Sequence, residues 1–139
     1  MTNNDYKSFF DDAPIALLRT NIDTGRFLMA NKFAATLFGC NSVEELLQKS
    51  SNDFYSSTIH NRLVKKLKKN GILQNQEIQM KIKNGEIIWT KASMRINCGG
   101  TCVEWFVFDI TELVDLRERE LIKMKSLSEK IDIRMASLA

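Results

Sequence analysis

Proline, histidine and cysteine are scarce in this chain, with one Pro, one His and three Cys in 139 residues. A single proline beside six glycines excludes collagen-like and low-complexity chains. One histidine leaves little material for a metal cluster or a nucleophile–base–orienter set. Gly-x-Ser-x-Gly, a Walker-type glycine loop and His-Glu-x-x-His are all missing. The adjacent carboxylates read as turn chemistry at Asp11-Asp12 and as first-turn helix charge at Glu44-Glu45. The expectation is therefore a chain without catalysis of its own. No run approaches the ~20 apolar residues that a membrane span needs. The polar, acidic start Met1-Thr2-Asn3-Asn4-Asp5 is no signal peptide. Neither sign of charge dominates: 20 Lys+Arg against 17 Asp+Glu gives +3, which demands no nucleic-acid or membrane partner.

The cysteines Cys40, Cys98 and Cys102 are odd in number and lack a repeated spacing, so they do not form a secreted disulfide framework. Cys98 and Cys102 flank Gly99-Gly100, but a metal clip there would need two more ligands, and His60 is far off in sequence. They read as three reduced thiols in a cytoplasmic protein. Attachment of a longer parent protein to a membrane through a flanking segment stays open.

What is present is ordinary for a folded domain: 44% hydrophobic and 27% charged residues. At this length, folding buries roughly two thirds of the unfolded chain's surface. Residues 1–13 read as a helical arm with Tyr6, Phe9 and Phe10 as its apolar contacts, stopped ahead of Pro14. Ile15 to Ile22 and Arg26 to Ala30 read as a hairpin around Asp23-Thr24-Gly25. Asn31 can cap a helix over Lys32 to Phe38, closed by Gly39. Ser42-Val43-Glu44-Glu45 is a capping box for a second short helix. After a turn at Asn52 to Tyr55, Ser57 or Thr58 caps a longer helix with Ile59, Leu63, Val64 and Leu67 on one face. Lys65, Lys66, Lys68 and Lys69 lie mainly on its other side. With no aromatic ladder beside them, they read as a solvated face and not as a nucleic-acid site.

From Ile72 the apolar period changes from helical to alternating. Ile78, Met80 and Ile82 belong to one strand, and Ile88, Thr90, Ala92, Met94 and Ile96 to the next, joined across Asn84-Gly85. Cys102 to Phe108 is apolar on both faces apart from Glu104, as a central strand would be. Two strands, short helices, three strands and a last helix make an α+β domain whose strands share one antiparallel sheet. The last helix differs from the rest. Its positions 110, 114, 117, 121, 124, 128, 131, 135 and 138 step by four and three. Ile110, Val114, Leu121, Met124, Ile131, Met135 and Leu138 are apolar there, and Arg117 and Ser128 interrupt. This is a coiled-coil seam, and it predicts a homodimer.

Several strings, in order, resemble the PAS domain, the sensory module of bacterial signalling proteins. Phe10-Asp11-Asp12-Ala13-Pro14-Ile15 is similar to the family's entry into its first strand. Asn31 to Gly39 and Ser42-Val43-Glu44-Glu45-Leu46 are similar to its first helical segments. Lys83-Asn84-Gly85-Glu86-Ile87-Ile88-Trp89 resembles its Lys-Asp-Gly hairpin, with Asn84 where Asp is usual. Asp109-Ile110-Thr111-Glu112 matches its exit motif in every position. The resemblance covers roughly residues 8–116. It implies a PAS-like (profilin-like) five-stranded antiparallel sheet with short helices on one face, in three parts: arm 1–13, core 14–111 and coiled-coil helix 112–139.

The resemblance also implies a cavity between sheet and helices, a sensor and dimerisation role, and a C-terminal output domain of the histidine kinase or nucleotide cyclase type in a longer phosphorelay or two-component protein. The alternative is a ligand-free, constitutive protein–protein interaction module, or one that binds a partner through Trp89 or Phe106 on the sheet. The candidate pocket lining is Phe33, Leu37, Phe54, Leu63, Leu67, Met80, Ala92, Met94 and Trp105, each of which also reads as plain core. Asp109 and Thr111 are the candidate signal-transmission residues. No cofactor is required. Haem would need His60 as ligand, but beside Asn61-Arg62 it reads as a surface histidine. The light-sensing branch carries an Asn-Cys-Arg-Phe-Leu-Gln string, whereas residues 51–56 here are Ser-Asn-Asp-Phe-Tyr-Ser, without the cysteine.

Overall fold

The computed structural model describes residues 3–138, so Met1, Thr2 and Ala139, which belong to the expected arm and trailing helix, lie outside the described residues. The elements in order are α1 (Asn3–Asp11), β1 (Ala16–Asn21), β2 (Phe27–Ala30), α2 (Lys32–Leu37), α3 (Val43–Leu46), a 3-10 turn at Ser51–Asp53, α4 (Ser57–Asn70), β3 (Ile72–Lys81), β4 (Ile87–Asn97), a second 3-10 turn at Cys98–Gly100, β5 (Cys102–Asp109) and α5 (Thr111–Leu138). Two compact units result, one up to Asp109 and one from Ile110.

The five strands form one antiparallel sheet in the order β2-β1-β5-β4-β3. The first and last strands of the chain segment thus meet in the middle. Alternation decides which face is covered. Leu18, Trp105 and Met94 stand opposite one another across β1, β5 and β4 and are buried, while their neighbours Glu104 and Phe106 point the other way. Helices α2 to α4 supply the opposing apolar stripe, with Ala34, Leu46, Leu63 and Leu67 buried. The central place of β5 agrees with its two-faced apolar pattern. Its outer aromatic residues Phe106 and Phe108 are nevertheless 43% and 52% exposed.

The caps explain where the helices start. Ser42 Oγ accepts from the Glu45 amide at 3.1 Å, and Glu45 Oε2 accepts from the Asn41 amide at 2.6 Å. Ser56, and not Ser57 or Thr58, caps α4: its side chain accepts from the Ile59 amide. Gly25, in the β1–β2 turn, lies so close to the 3-10 turn that an added Cβ would fall 1.9 Å from Ser51 Oγ. The Ser51 amide donates to the Gly25 carbonyl at 2.8 Å.

Asn31 does more than cap α2. It is fully buried and uses all four of its side-chain bonds. Oδ1 accepts from the Ala34 amide at 3.0 Å and from the Leu17 amide at 3.1 Å. Nδ2 donates to the Ile15 carbonyl at 2.8 Å and to the Phe10 carbonyl at 3.0 Å. The end of α1, the start of β1 and the start of α2 are held by this one amide. The arm itself corrects the sequence reading: Tyr6 and Phe9 are 61% and 79% exposed, and only Phe10 is half-buried. Its attachment is polar, through the Phe10 carbonyl and an Asp12–Lys32 ion pair at 3.3 Å.

Asn31→Ala strands buried backbone groups on two sides and should lower unfolding stability by about 2–4 kcal/mol, read from the urea midpoint. Asn31→Asp keeps both acceptor bonds but sets an oxygen against two carbonyls, and should also be destabilised.

Candidate functional site

Between the sheet and the helices lies a space bounded by Leu18, Thr20, Trp105 and Val107 from β1 and β5, and by Met80 from β3. Phe27 from β2 and Phe38, Ser51, Phe54 and Tyr55 from the helical segments close it. Three of the aromatic rings pack against each other in tilted and edge-on contacts. The Phe38–Phe54, Phe27–Phe54 and Phe27–Phe38 centroids are 4.7, 5.7 and 5.9 Å apart. Such tilted contacts fill volume efficiently. The volume open to the centre of a water-sized sphere is about 10 Å³. That is room for about one water molecule.

The polar atoms at this space are hydroxyls. Trp105 Nε1 donates to Thr20 Oγ1 at 3.0 Å, tying β5 to β1 inside the core. Burial pushes the Tyr55 phenol up to about 12, against an opposing hydrogen bond with Ser51, so it stays neutral at ordinary pH. Ser51 Oγ also lies 3.2 Å from His60 Nδ1, and His60 Nε2 lies 3.1 Å from the Asp23 carbonyl. A carbonyl only accepts, which assigns a proton to Nε2. A chain of hydrogen bonds therefore runs from the core through Tyr55, Ser51 and His60 to the β1–β2 turn, where Lys68 pairs with Asp23 at 3.2 Å. His60 is half-buried and engaged at both nitrogens, which corrects its reading as a plain surface residue.

Of the nine residues expected to line one pocket, Phe54, Met80 and Trp105 border this space. Leu63, Leu67, Ala92 and Met94 are buried elsewhere in the core. Phe33 and Leu37 instead border a groove of about 440 Å³ with Ile82, Ile88, Phe108 and Asp109. Helical spacing marks an inward face but not which part of the interior a side chain reaches. Ser51 and Tyr55 carried no signal of their own, because residues in short irregular segments read as loop, and Thr20 carried none because a polar residue within a strand reads as part of its outer face. Asp109 ends β5 opposite Thr90, and Thr111 begins α5.

The outer face of the sheet carries a second cluster. Arg19 Nη2 donates to Glu104 Oε2 at 2.6 Å, and Arg95 Nε donates to Glu104 Oε1 at 2.8 Å. The Arg19 hydrogen bond, then that of Arg95, holds the Glu104 carboxyl down at about 2. Phe10, Leu17, Met29 and Phe106 surround it in a shallow groove of about 180 Å³.

No curated protein matches the sequence. The family described as PAS domain matches residues 13–112, most of the chain. The chain belongs to this family. Among solved structures it is similar to the PAS domain, in complex with ethanol, of a LuxR-family transcriptional regulator from Burkholderia thailandensis. The identity is 24% and the TM-score 0.65, covering 76% of this chain and 97% of that one. It is similar to a PAS domain from a two-component sensor histidine kinase at 15% identity and TM-score 0.66, covering 78% and 99%. A domain of a sensory box sensor histidine kinase/response regulator from Geobacter sulfurreducens aligns at 15% identity and TM-score 0.62, covering 74% and 90%. At these identities the likeness is one of fold.

The residues of this PAS domain do not fit haem or flavin. A bound organic cofactor occupies roughly 300 Å³ or more, and the core space is far smaller. No histidine faces that space, and both nitrogens of His60 are engaged. Among the described residues no group of three or more His, Cys, Asp or Glu could hold a metal, and no helix is long and apolar enough to cross a membrane.

Tyr55 gives a test of the buried polar chain. Below pH 10 the phenol keeps its proton folded or unfolded, and stability is whole. Between pH 10 and about 12 only the unfolded phenol ionises, so stability falls. The loss should approach about 2–3 kcal/mol and should be missing from Tyr55→Phe when the two urea midpoints are compared across that range.

Proposed function

We propose that this PAS domain is a dimerisation and relay module of a longer bacterial signal-transduction protein, acting as a protein–protein interaction element without a resident cofactor and without catalysis of its own. The observation that carries this reading is the filled core, with about 10 Å³ of free space. Its working parts are the sheet and the trailing helix, and its setting is cytoplasmic. The output domain, of the histidine kinase or nucleotide cyclase type, follows in the parent protein.

The helix supports pairing. α5 runs 28 residues, about 42 Å at 1.5 Å per residue. Leu121, Met124, Ile131, Met135 and Leu138 of the seam are each more than half exposed, and Val114 lies in the first turn. An apolar stripe of that length in water calls for a partner, and a second copy offers a matching seam. Arg117 and Ser128 break the stripe and keep the paired state adjustable. Asp109 and Thr111 bracket the junction of β5 and α5, where a change in strand twist would become a change in helix pairing.

A small-ligand sensor is the second reading. It is favoured by three hydroxyls, of Thr20, Ser51 and Tyr55, facing one apolar space, and by the ethanol held in the Burkholderia thailandensis relative. Thermal unfolding separates the two: haem, flavin and short-chain alcohols should leave Tm unchanged, whereas a rise that saturates with an alcohol gives the sensor reading precedence. For the dimer, light scattering should show twice the monomer mass. Leu121→Asp combined with Ile131→Asp should halve it while leaving the unfolding of the sheet domain in place. A wild-type monomer at high concentration would sink the pairing.

A further inference from the structure

Cys98 and Cys102 are joined by a disulfide at the tip of the β4–β5 hairpin, with their Cα atoms 5.5 Å apart. This corrects the reading of three reduced thiols, and the backbone explains it. Asn97 pairs with Cys102 across the ladder, so the chain must reverse between them. Cys98 turns with φ 55°, a left-handed conformation uncommon for a residue with a Cβ. Asn97 Oδ1 accepts from the Cys98 amide at 2.8 Å, and Thr101 Oγ1 donates to the Cys98 carbonyl at 2.8 Å. These bonds hold the turn that brings the two side chains to bridging distance.

The two sulfurs have unequal surroundings. Cys98 is exposed, and Cys102 is 1% exposed. Cys40 is free and buried, and its thiol is pushed up, chiefly by burial. A bridge over so short a loop constrains the unfolded chain less than one across distant segments would. Its accessible sulfur leaves it open to exchange.

We propose that Cys98–Cys102 is a reversible two-electron redox site that exchanges with low-molecular-weight thiols and disulfides of the glutathione class. A reductant thiolate attacks Cys98 Sγ, and the bond to Cys102 Sγ breaks. The electron pair leaves on Cys102, which takes a proton. A second thiolate attacks the reductant sulfur of the mixed disulfide, Cys98 departs and is protonated, and the reductant leaves as its disulfide. Two reductant thiols become one disulfide, and the pair gains two electrons and two protons. Glutathione disulfide drives the reverse.

The loop reports its state to the sheet. The Ile22 amide, just past β1, donates to the Thr101 carbonyl at 3.0 Å, and Asn21 pairs with Cys102. Opening the bridge frees Cys98 to leave its left-handed conformation and loosens that hold.

The test equilibrates the 139-residue chain in glutathione buffers from fully oxidised to fully reduced. Exchange is then quenched in acid, and free thiols are alkylated in denaturant and assigned by mass spectrometry. Cys98 and Cys102 should become labelled together in one transition while Cys40 is labelled throughout, and the Ile22 amide should exchange hydrogen at least about tenfold faster in the reduced form. A bridge that survives the most reducing buffer, or never forms in the most oxidising one, overturns the proposal. So does independent labelling of the two cysteines. In Cys98→Ser, where only the exposed partner is changed, labelling of Cys102 should lose its dependence on the buffer, and persistence overturns the pairing. Equal Ile22 exchange in both forms overturns the coupling to β1.

Discussion

A buried amide that satisfies all its partners fixes the positions of those partners, and Asn31 does this for the sheet domain. Its two donors and two acceptors meet Phe10, Ile15, Leu17 and Ala34, at the end of α1, the start of β1 and the start of α2. No apolar residue could hold those backbone groups, and a charged one would set like dipoles together. The register of β1 follows from it. Since β1 lies beside β5, the placing of Leu18 against Trp105 follows as well. The core is then assembled around a polar pin, and apolar burial supplies most of the driving force.

That core is filled where the fold could be hollow. The rings of Phe27, Phe38 and Phe54 occupy the space that smaller side chains would leave. The remaining gap is bordered by hydroxyls whose partners lie inside the protein, so its polar groups are not waiting for a ligand. On the function proposed above, a domain built this way responds through its surfaces and its trailing helix without first binding anything inside.

Most of the fold was legible from the chain alone. The switch from helical to alternating period at Ile72, the Asn84-Gly85 turn and the Asp109-Ile110-Thr111-Glu112 exit are local signals, and the elements form close to them. The site was less legible. Leu63 and Met94 face inward as their spacing requires, yet do not line the core space between sheet and helices, because cavity position depends on how elements cross. His60 looked like a surface residue, since its partners Ser51 and Asp23 lie 9 and 37 positions away in sequence. Cys98 and Cys102 were visibly close, but their joining depends on a left-handed residue and on ladder register, neither of which composition reveals.

The middle position of β5 limits the movements it can make. It is laddered to β1 on one side and to β4 on the other. Sideways drift would tear both seams, and a one-residue slide would bring Glu104 and Phe106 inside while expelling Trp105 and Val107. Translation is therefore forbidden in either direction. Torsion about its own axis is the motion left to such a strand, so a displacement of its end at Asp109 is a rotation.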